Sequence, residues 1–575
     1  MTWLYNDPAA FTEDMLTGFL DANAGYVAGV PGGVVRAAPT RPGKVAVVVG
    51  GGSGHYPAFC GVVGPGFADG AVVGNIFTSP SAADAASVAR AADGGAGVLL
   101  TTGNYAGDVM NFGLAVEQLA AEGIPARYFA VTDDIASAPA GEEAARRGIA
   151  GDFTVFKCAS AAAEEGYDLD GVTRVAALAN DNTRTLGVAF DGCTLPGAAG
   201  PLFTVEKGTM GLGLGIHGEP GVASHAMPTA GELAELLVSG VLRERPEGAG
   251  TRIAVILNGL GRTKYEELFV VWGTVAPLLR DAGYTVVRPE VGELVTSLDM
   301  AGCSLTVMWL DDELDRLWTA PADTPAFRRG AIAHHSPEVR TSVRTVDAGR
   351  YRKDAVAEVA DEAGRACAAA IALAIRAVAT KIVAAEEELG RIDAVAGDGD
   401  HGRGMVRGTA AASAAAEDAV GRGCGPGGVL KAAGEAWAAQ AGGTSGVLWG
   451  AALTALGGRL GDTGTPANPD IVAGLRASYD AVTRLGRAKP GDKTLLDALL
   501  PFLEAAERGE SWRDAAEVAE TAARDTAALR PRIGRARPLA ERSVGSPDAG
   551  AISLALCVRT VVDEFETAAA EGARR

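Results

Sequence analysis

The chain is poor in the groups that mark several common protein classes. Its seven cysteines (Cys60, Cys158, Cys193, Cys303, Cys367, Cys424 and Cys557) are scattered over 575 residues and form no C-x-x-C pair. That spacing excludes a zinc ribbon and argues against a disulfide framework, so buried thiols in a reducing compartment are expected. No unbroken apolar run reaches the ~18 residues a membrane span requires. The start, Met1-Thr2-Trp3-Leu4-Tyr5-Asn6-Asp7, has neither a basic n-region nor an apolar core, so no secretory signal is visible. The expectation is a soluble, cytoplasmic protein. Positive charge is also short: 51 basic against 71 acidic residues leave a net −20. This argues against a nucleic-acid or anionic-membrane partner. It leaves a phosphate substrate open, because a metal ion can supply positive charge locally.

What is present is globular. Hydrophobic residues make 48% and charged residues 21%. Glycine, at 78 residues, is in surplus without a collagen period, which places it in turns and ligand-binding loops. Residues 1–318 alternate short β-branched runs with helical stretches. Val45–Val49 runs into Gly50-Gly51-Gly52, Val98–Thr101 into Gly103-Asn104, and Ile253–Leu257 into Asn258-Gly259, while Ser81–Ala92 and Phe112–Glu122 read as helices. This predicts α/β architecture with largely parallel sheets, whose ligands gather at strand carboxyl ends. A strand at Leu186–Phe190 suggests two α/β subdomains, 1–185 and 186–318. Residues 319–352, rich in Pro, Arg, Ser and Thr, read as a linker. Residues 353–575 are dominated by helix formers and predict an all-α bundle or helical barrel. Its helices are placed at Asp354–Leu389, Arg403–Val420, Val429–Ala441, Leu475–Leu485, Leu495–Glu507 and Trp512–Ala528.

Of six histidines, three sit in glycine clusters: His55 after Gly50-Gly51-Gly52-Ser53-Gly54, His217 within 211–218, and His401 within Gly397-Asp398-Gly399-Asp400-His401-Gly402. One such histidine would be read as a turn cap. Three favour function. Gly213-x-Gly215-x-x-Gly218 matches a dinucleotide fingerprint by pattern alone, but Glu219-Pro220-Gly221 follows where a helix would have to open, so NAD binding is rejected. No Walker P-loop is present. Asp393, Asp398 and Asp400 crowd three carboxylates into one glycine loop. They repel unless a cation neutralises them, and an oxygen-only set suits Mg²⁺ or Ca²⁺. An EF-hand is excluded, because the twelfth position from Asp398 is Thr409. Gly442-Gly443-Thr444-Ser445-Gly446, before an apolar helical run, fits an anion cradle or ordinary N-capping. Gly491-Asp492-Lys493-Thr494 has the same two readings, with Lys493 available to a phosphate. Asp108, after the strand ending near Gly103, fits either a catalytic base or a cap for the following helix.

Taken together these segments resemble the ATP-dependent dihydroxyacetone kinase family. The likeness rests on Gly-Gly-Gly-Ser-Gly-His at 50–55, Gly-Asn-Tyr-Ala-Gly-Asp at 103–108, Gly-Leu-Gly-Ile-His-Gly-Glu-Pro-Gly at 213–221, Gly-Asp-Gly-Asp-His-Gly at 397–402, Gly-Gly-Thr-Ser-Gly at 442–446, Gly-Asp-Lys-Thr-Leu-Leu-Asp at 491–497 and Glu-Arg-Ser-Val-Gly-Ser-Pro-Asp-Ala-Gly at 541–550. Seven motifs in one order span nearly the whole chain. The resemblance implies an α/β ketose-binding domain followed by an all-helical ATP-binding domain. It implies a hemiaminal between the ketose carbonyl and His217, with Asp108 as general base and His55 hydrogen-bonding beside it. Gly52, Ser53 and Gly54 would line the sugar. The Mg²⁺ ligands would be Asp393, Asp398 and Asp400. Nucleotide contacts would come from Asp400, His401, Gly402, Arg403, Thr444, Ser445, Gly486, Thr494, Asp548, Ala549 and Gly550. It further implies a homodimer in which one subunit's ATP domain serves the other's ketose site.

The sequence departs from the common family pattern in places. Gly103 stands where many members carry Lys before Asn-Tyr, Arg535–Ala540 replaces Arg-Ala-Ser-Tyr-Leu-Gly, and Asn182–Gly187 differs. With Gly-His-Tyr-Pro at 54–57, these features resemble the branch that phosphorylates erythrulose, and a missing lysine side chain at Gly103 would leave room for a fourth carbon. Two other classes remain as alternatives: an FAD-splitting, FMN-cyclase-type lyase in the same helical domain, and a non-catalytic ketose-binding regulator.

Overall fold

The computed structural model describes residues 2–330, 360–397, 399–533 and 540–572. The chain divides into two compact units, Met1–Thr345 and Val346–Arg575.

The first unit carries two large sheets. One is built from β1 (Val27–Val30), β2 (Gly33–Arg36), β3 (Ala46–Ser53), β4 (Gly70–Ile76), β5 (Val98–Gly103) and β6 (Ala126–Val131), in the order β1-β2-β4-β3-β5-β6. Strands β4, β3, β5 and β6 run parallel, and β3 and β5 are buried throughout. The other sheet holds β7 (Thr183–Asp191), β8 (Thr209–Leu212), β9 (Ala223–Ala226), β10 (Arg252–Gly259), β11 (Thr285–Val286), β12 (Glu290–Gly292) and β13 (Ala301–Trp309). Here the expectation of largely parallel pairing fails: β10/β13, β13/β7, β7/β8 and β8/β9 are all antiparallel. Strands β10 and β13 are buried almost throughout. A continuous apolar run reports burial on both faces and carries no information about strand direction.

The first unit's helices are α1 (Phe11–Ala22), α2 (Ala82–Ala92), α3 (Ala106–Ala121), α4 (Asp152–Glu164), α5 (Leu169–Asp181), α6 (Ala230–Leu242), α7 (Tyr265–Asp281) and α8 (Asp312–Thr319). Helix α4 is buried from Asp152 to Ala163, and its Ala-rich surface lets other elements approach from every side. Helix α3 starts six residues earlier than the sequence suggests, so Asp108 lies in its first turn. A carboxylate there faces the positive end of the helix dipole.

Two sequence boundaries shift. Gly50, Gly51 and Gly52 are not a loop after the strand but part of β3. A Cβ on Gly52 would lie 2.6 Å from the Thr78 amide nitrogen, so the glycine lets the 77–78 backbone close over the strand end. Residues 319–330, assigned to the linker, fold back onto the first unit through β14 (Ala322–Asp323) and β15 (Arg328–Arg329). Phe327 is buried between Phe67 and Phe153, with ring centroids 5.8 and 5.0 Å away. The rest of the expected linker, 331–352, lies outside the described residues.

The second unit is helical: α9 (Glu362–Asp393), α10 (His401–Gly421), α11 (Pro426–Ala441), α12 (Gly443–Leu460), α13 (Asn468–Gly486), α14 (Leu496–Glu507), α15 (Trp512–Asp525), α16 (Ala540–Ser543) and α17 (Ala549–Gly572). Its core joins Ile382 and Leu389 of α9, Met405 and Ala412 of α10, Val429 and Trp437 of α11, and Cys557 of α17. Among the described residues α9 alone is long and apolar enough to cross a membrane, and it packs against α10, α11 and α17. Replacing Phe327 by Ala should lower the first unit's stability by about 3–5 kcal/mol in denaturant titration. A true linker residue would cost nothing measurable.

Candidate active site

Strand β3 ends at Ser53, and Gly54 turns the chain at φ 103° to deliver His55 into the interior. His55 is 2% exposed. Its Nδ1 lies 2.7 Å from the carbonyl oxygen of Thr296, which only accepts, so Nδ1 carries a proton. The ring stacks on Phe77 at 5.1 Å, and Phe77 is held in the left-handed region at φ 54°. The segment bearing Thr296 is itself fastened. The Asn258 side chain, at the end of β10, accepts from the amides of Leu294 and Val295 and donates to the Val295 carbonyl. Thr296 and Leu298 then donate their amides to the carbonyls of His55 and Gly54.

His217 comes from the loop between β8 and β9. Its Nε2 faces His55 Nε2 at 3.0 Å. Its Nδ1 lies 3.0 Å from Glu219 Oε1, and its amide donates to Glu219 Oε2, also at 3.0 Å. The rings of Tyr105 and Phe77 meet His217 edge-on at 4.8 and 5.1 Å. Gly215 permits this fold-back, since a Cβ there would lie 2.1 Å from the Glu219 carboxylate. The glycine spacing that imitates a dinucleotide fingerprint is therefore a loop closing on its own glutamate.

Electrostatics follow from burial. Desolvation, with His217 adding to it, pushes the His55 pKa down to about 3. Burial would push the Glu219 carboxyl up, but His217 and then Arg147 hold it well below the usual range. Asp108 is buried, and its charge is felt by Tyr128 and Asp152. Burial raises both of those groups first, and neighbouring carboxylates add to it. Ser53 is buried and pairs with Thr12 Oγ1 at 3.1 Å.

The room proposed beside Gly103 is filled. A Cβ there would meet the Tyr105 ring at 2.9 Å and the Gly148 carbonyl oxygen at 3.1 Å. The missing side chain lets Tyr105 lie back, donate to the Gly148 carbonyl at 2.9 Å and reach His217. Its effect on the pocket runs through Tyr105, not through an empty volume.

In the second unit the acidic loop joins α9 to α10. Asp393 ends α9 and accepts from the Gly399 amide at 2.9 Å, and Asp400 precedes α10. Asp398 lies outside the described residues. Among the described residues no three His, Cys, Asp or Glu side chains stand close enough to hold an ion by themselves. The donor set nevertheless fits one. Burial, then Asp393, raises Asp400 to about 6, and burial with Asp393 and Asp497 raises Asp548 to about 7. Carboxylates drawn together against their own charge, with oxygen donors only, suit Mg²⁺. His401 Nε2 pairs with Ser553 Oγ at 2.9 Å, which ties α10 to α17, and burial lowers its pKa. A Cβ on Gly550 would lie 3.1 Å from Asp548 Oδ1, so Ala549 and Gly550 belong to the same turn as Asp548.

Other nucleotide candidates reach this region in part. Thr444 and Ser445 open α12, and Ser445 Oγ lies 3.8 Å from Met405 Sδ, one turn beyond His401 and Gly402. Gly486 ends α13 against Leu448 of α12. Gly399 and Arg403 line a hollow of about 420 Å³ with Glu386 and Glu387. The Thr494 amide donates to Asp497 at 2.7 Å. Lys493 does not present a free ammonium to a phosphate: Nζ is bound by the carbonyls of Leu529 and Ser543 at 3.2 and 2.7 Å. Glu219, Tyr105, Phe77, Asn258 and Thr296 escaped the sequence reading as site residues. The only signal for Glu219 was its place two residues after His217.

Residues 17–326 match the Dak1 domain and residues 395–563 the DAK2 domain. The chain is 72% identical to a D-erythrulose kinase of Mycolicibacterium smegmatis, covering 98% of both chains. It is 56% identical to an L-erythrulose kinase of Pectobacterium atrosepticum, covering 98% of this chain and 96% of that one. The crystal structure of the dihydroxyacetone kinase from C. freundii in complex with AMP-PNP and Mg²⁺ matches with a TM-score of 0.52 at 29% identity, over 98% and 99% of the two chains. The two domain matches define a fused Dak1–Dak2 protein. The chain belongs to the dihydroxyacetone kinase family.

The depressed His55 pKa has a consequence for stability. The unfolded chain takes up a proton near pH 6.5 that the folded site resists down to about 3, so stability present above pH 6.5 is lost as pH falls. Near pH 5 the loss should be about 2 kcal/mol. Denaturant titrations at pH 7.5 and 5 should show it, and His55→Asn should flatten the difference.

Proposed function

We propose that the protein phosphorylates erythrulose, with the D enantiomer as preferred acceptor. The protein is an ATP-dependent ketose kinase that works with ATP and Mg²⁺. The observation that carries the finer reading is the near-full-length identity to a D-erythrulose kinase, 72% against 56% for an L-erythrulose kinase.

The first unit's geometry supports a covalent mode of binding. His217 has Nδ1 engaged by Glu219 and Nε2 facing His55 Nε2. Addition of that nitrogen to a ketose carbonyl gives a hemiaminal, which no polyol can form. Asp108, at the start of α3, takes the proton from the attacking hydroxyl, and His55 holds its place beside His217. Gly52, Ser53 and Gly54 line the sugar with backbone. Such placement is what phosphoryl transfer needs most, since the chemistry at phosphorus is positioning and charge neutralisation. In the second unit Asp393, Asp398 and Asp400 hold Mg²⁺, and His401, Gly402, Arg403, Thr444, Ser445, Gly486, Thr494 and Asp548–Gly550 surround the nucleotide. Mg²⁺ supplies neutralisation of the phosphate oxygens. The active form is a homodimer in which each ATP unit serves the partner subunit's ketose site.

ADP release should be measured with D-erythrulose, L-erythrulose, dihydroxyacetone and glycerol. D-erythrulose is expected to give the highest kcat/KM and glycerol none. Glycerol turnover equal to that of the ketoses would sink the covalent mode. His217→Ala should raise the ketose KM strongly. Asp108→Asn should lower kcat by about 10²–10⁴-fold while leaving the KM for ATP in place.

A further inference from the structure

The hydrogen bonds around the two histidines fix a proton count. His55 Nδ1 faces the Thr296 carbonyl oxygen at 2.7 Å and must be a donor. His217 Nδ1 faces a carboxylate at 3.0 Å and must also be a donor. Two neutral imidazoles so arranged would turn lone pairs toward each other, yet their Nε2 atoms stand 3.0 Å apart. That separation is a hydrogen bond only if one proton lies between them. The pair therefore carries one more proton than two neutral rings, and a single positive charge.

The counter-charge is Glu219. Its two oxygens take the His217 amide and Nδ1, each at 3.0 Å, and its side chain is 14% exposed. Arg147 stands 3.7 Å behind it and is itself engaged by Asp134 at 2.8 Å, so its charge is already shared. The other titratable group against His217 is Tyr105, whose ring contacts it edge-on. Burial, and then the Glu219 charge, push the Tyr105 phenol upward, so it stays neutral. Burial keeps a second proton off His55 until about pH 3.

We infer that Glu219 is a positioning residue that keeps His217 and its shared proton ready for covalent capture of the ketose. The inference rests on the hemiaminal reading of His217. As the ketose adds, the N–H bond at His217 Nε2 breaks, the pair it leaves on nitrogen forms the C–N bond, and the carbonyl π pair moves to oxygen. The proton from between the rings passes to that oxygen, making the hemiaminal hydroxyl. His217 becomes an N-substituted imidazolium whose Nδ1–H stays on the Glu219 carboxylate. Charge is the same before and after: one positive imidazolium beside one negative carboxylate. Capture therefore neither takes up nor releases a proton at neutral pH, and Glu219 stabilises the cation in both states.

Isothermal titration of the full-length protein with D-erythrulose in buffers of different ionisation enthalpy reads this count, and ¹³C NMR with carbonyl-labelled ketose reads the adduct. At pH 7.5 the expected result is an sp³ adduct carbon with no buffer dependence of the binding heat. In Glu219→Gln the neutral amide keeps the shape and loses the charge. Binding should then draw up to one proton from solution, and the ketose KM should rise about 10- to 100-fold with the ATP KM unchanged. An adduct formed by the wild type with uptake of one proton would overturn the role of Glu219 and leave the hemiaminal standing. Absence of an sp³ carbon in the wild type would overturn both. A Glu219→Gln variant with wild-type proton count and ketose KM would also overturn it. The wild-type count is decisive without the variant, should that fail to fold.

Discussion

Two imidazoles that face each other nitrogen to nitrogen, one buried and one part-buried, are the constraint on which the first unit's site is built. Such a contact is repulsive unless a proton bridges it and a carboxylate balances the charge. Most of the surrounding architecture serves those two needs. Asn258 pins the segment whose Thr296 carbonyl fixes the His55 tautomer. Phe77 stacks on His55 and Tyr105 packs edge-on against His217, which limits the rotation of both rings. Gly215 lets Glu219 fold back onto its own loop. Removing one of these supports would leave a buried polar group without its partner, which costs more than the bond itself contributes.

The second unit meets the opposite electrostatic problem in the opposite way. Asp393, Asp400 and Asp548 are gathered around one loop and one helix start, and burial raises the pKa of Asp400 and Asp548. The first unit neutralises its charged site from within, with a proton and a glutamate. In the second, Arg403 and Arg407 act on Asp400 and Lys493 on Asp548, yet burial still raises both carboxyls, which leaves room for a cation. That division suits a neutral sugar in the first unit and a highly charged nucleotide in the second.

The fold class was legible in the sequence, and so were His55 and His217 as candidate site residues, because glycine clusters around histidine and aspartate are rare enough to be informative together. Helix content of the second unit was legible from residue propensity. Strand direction in the second sheet was not, since β10 and β13 display only their burial. The start of α3 was hidden because Gly107 and Asp108 read as turn residues, although an aspartate in a helix's first turn is favourable. Residues 319–330 looked like linker by composition, yet one aromatic, Phe327, decides that they pack. The supports of the histidine pair were the least legible. Asn258 and Thr296 act through contacts with residues far away in sequence, and Lys493 looked like a phosphate ligand because its two carbonyl partners are distant as well.

Those long separations set an order in time. The imidazole at position 55 is placed by a carbonyl at 296 and faces a ring at 217, so the pocket has no local precursor. During synthesis the first sheet can pair early, but its buried histidine must wait for the far end of the same unit to leave the ribosome. Non-local closure of this kind is slow and leaves apolar strand ends open meanwhile. The nascent chain therefore passes through a stage in which one sheet exists and the pocket around His55 and His217 does not.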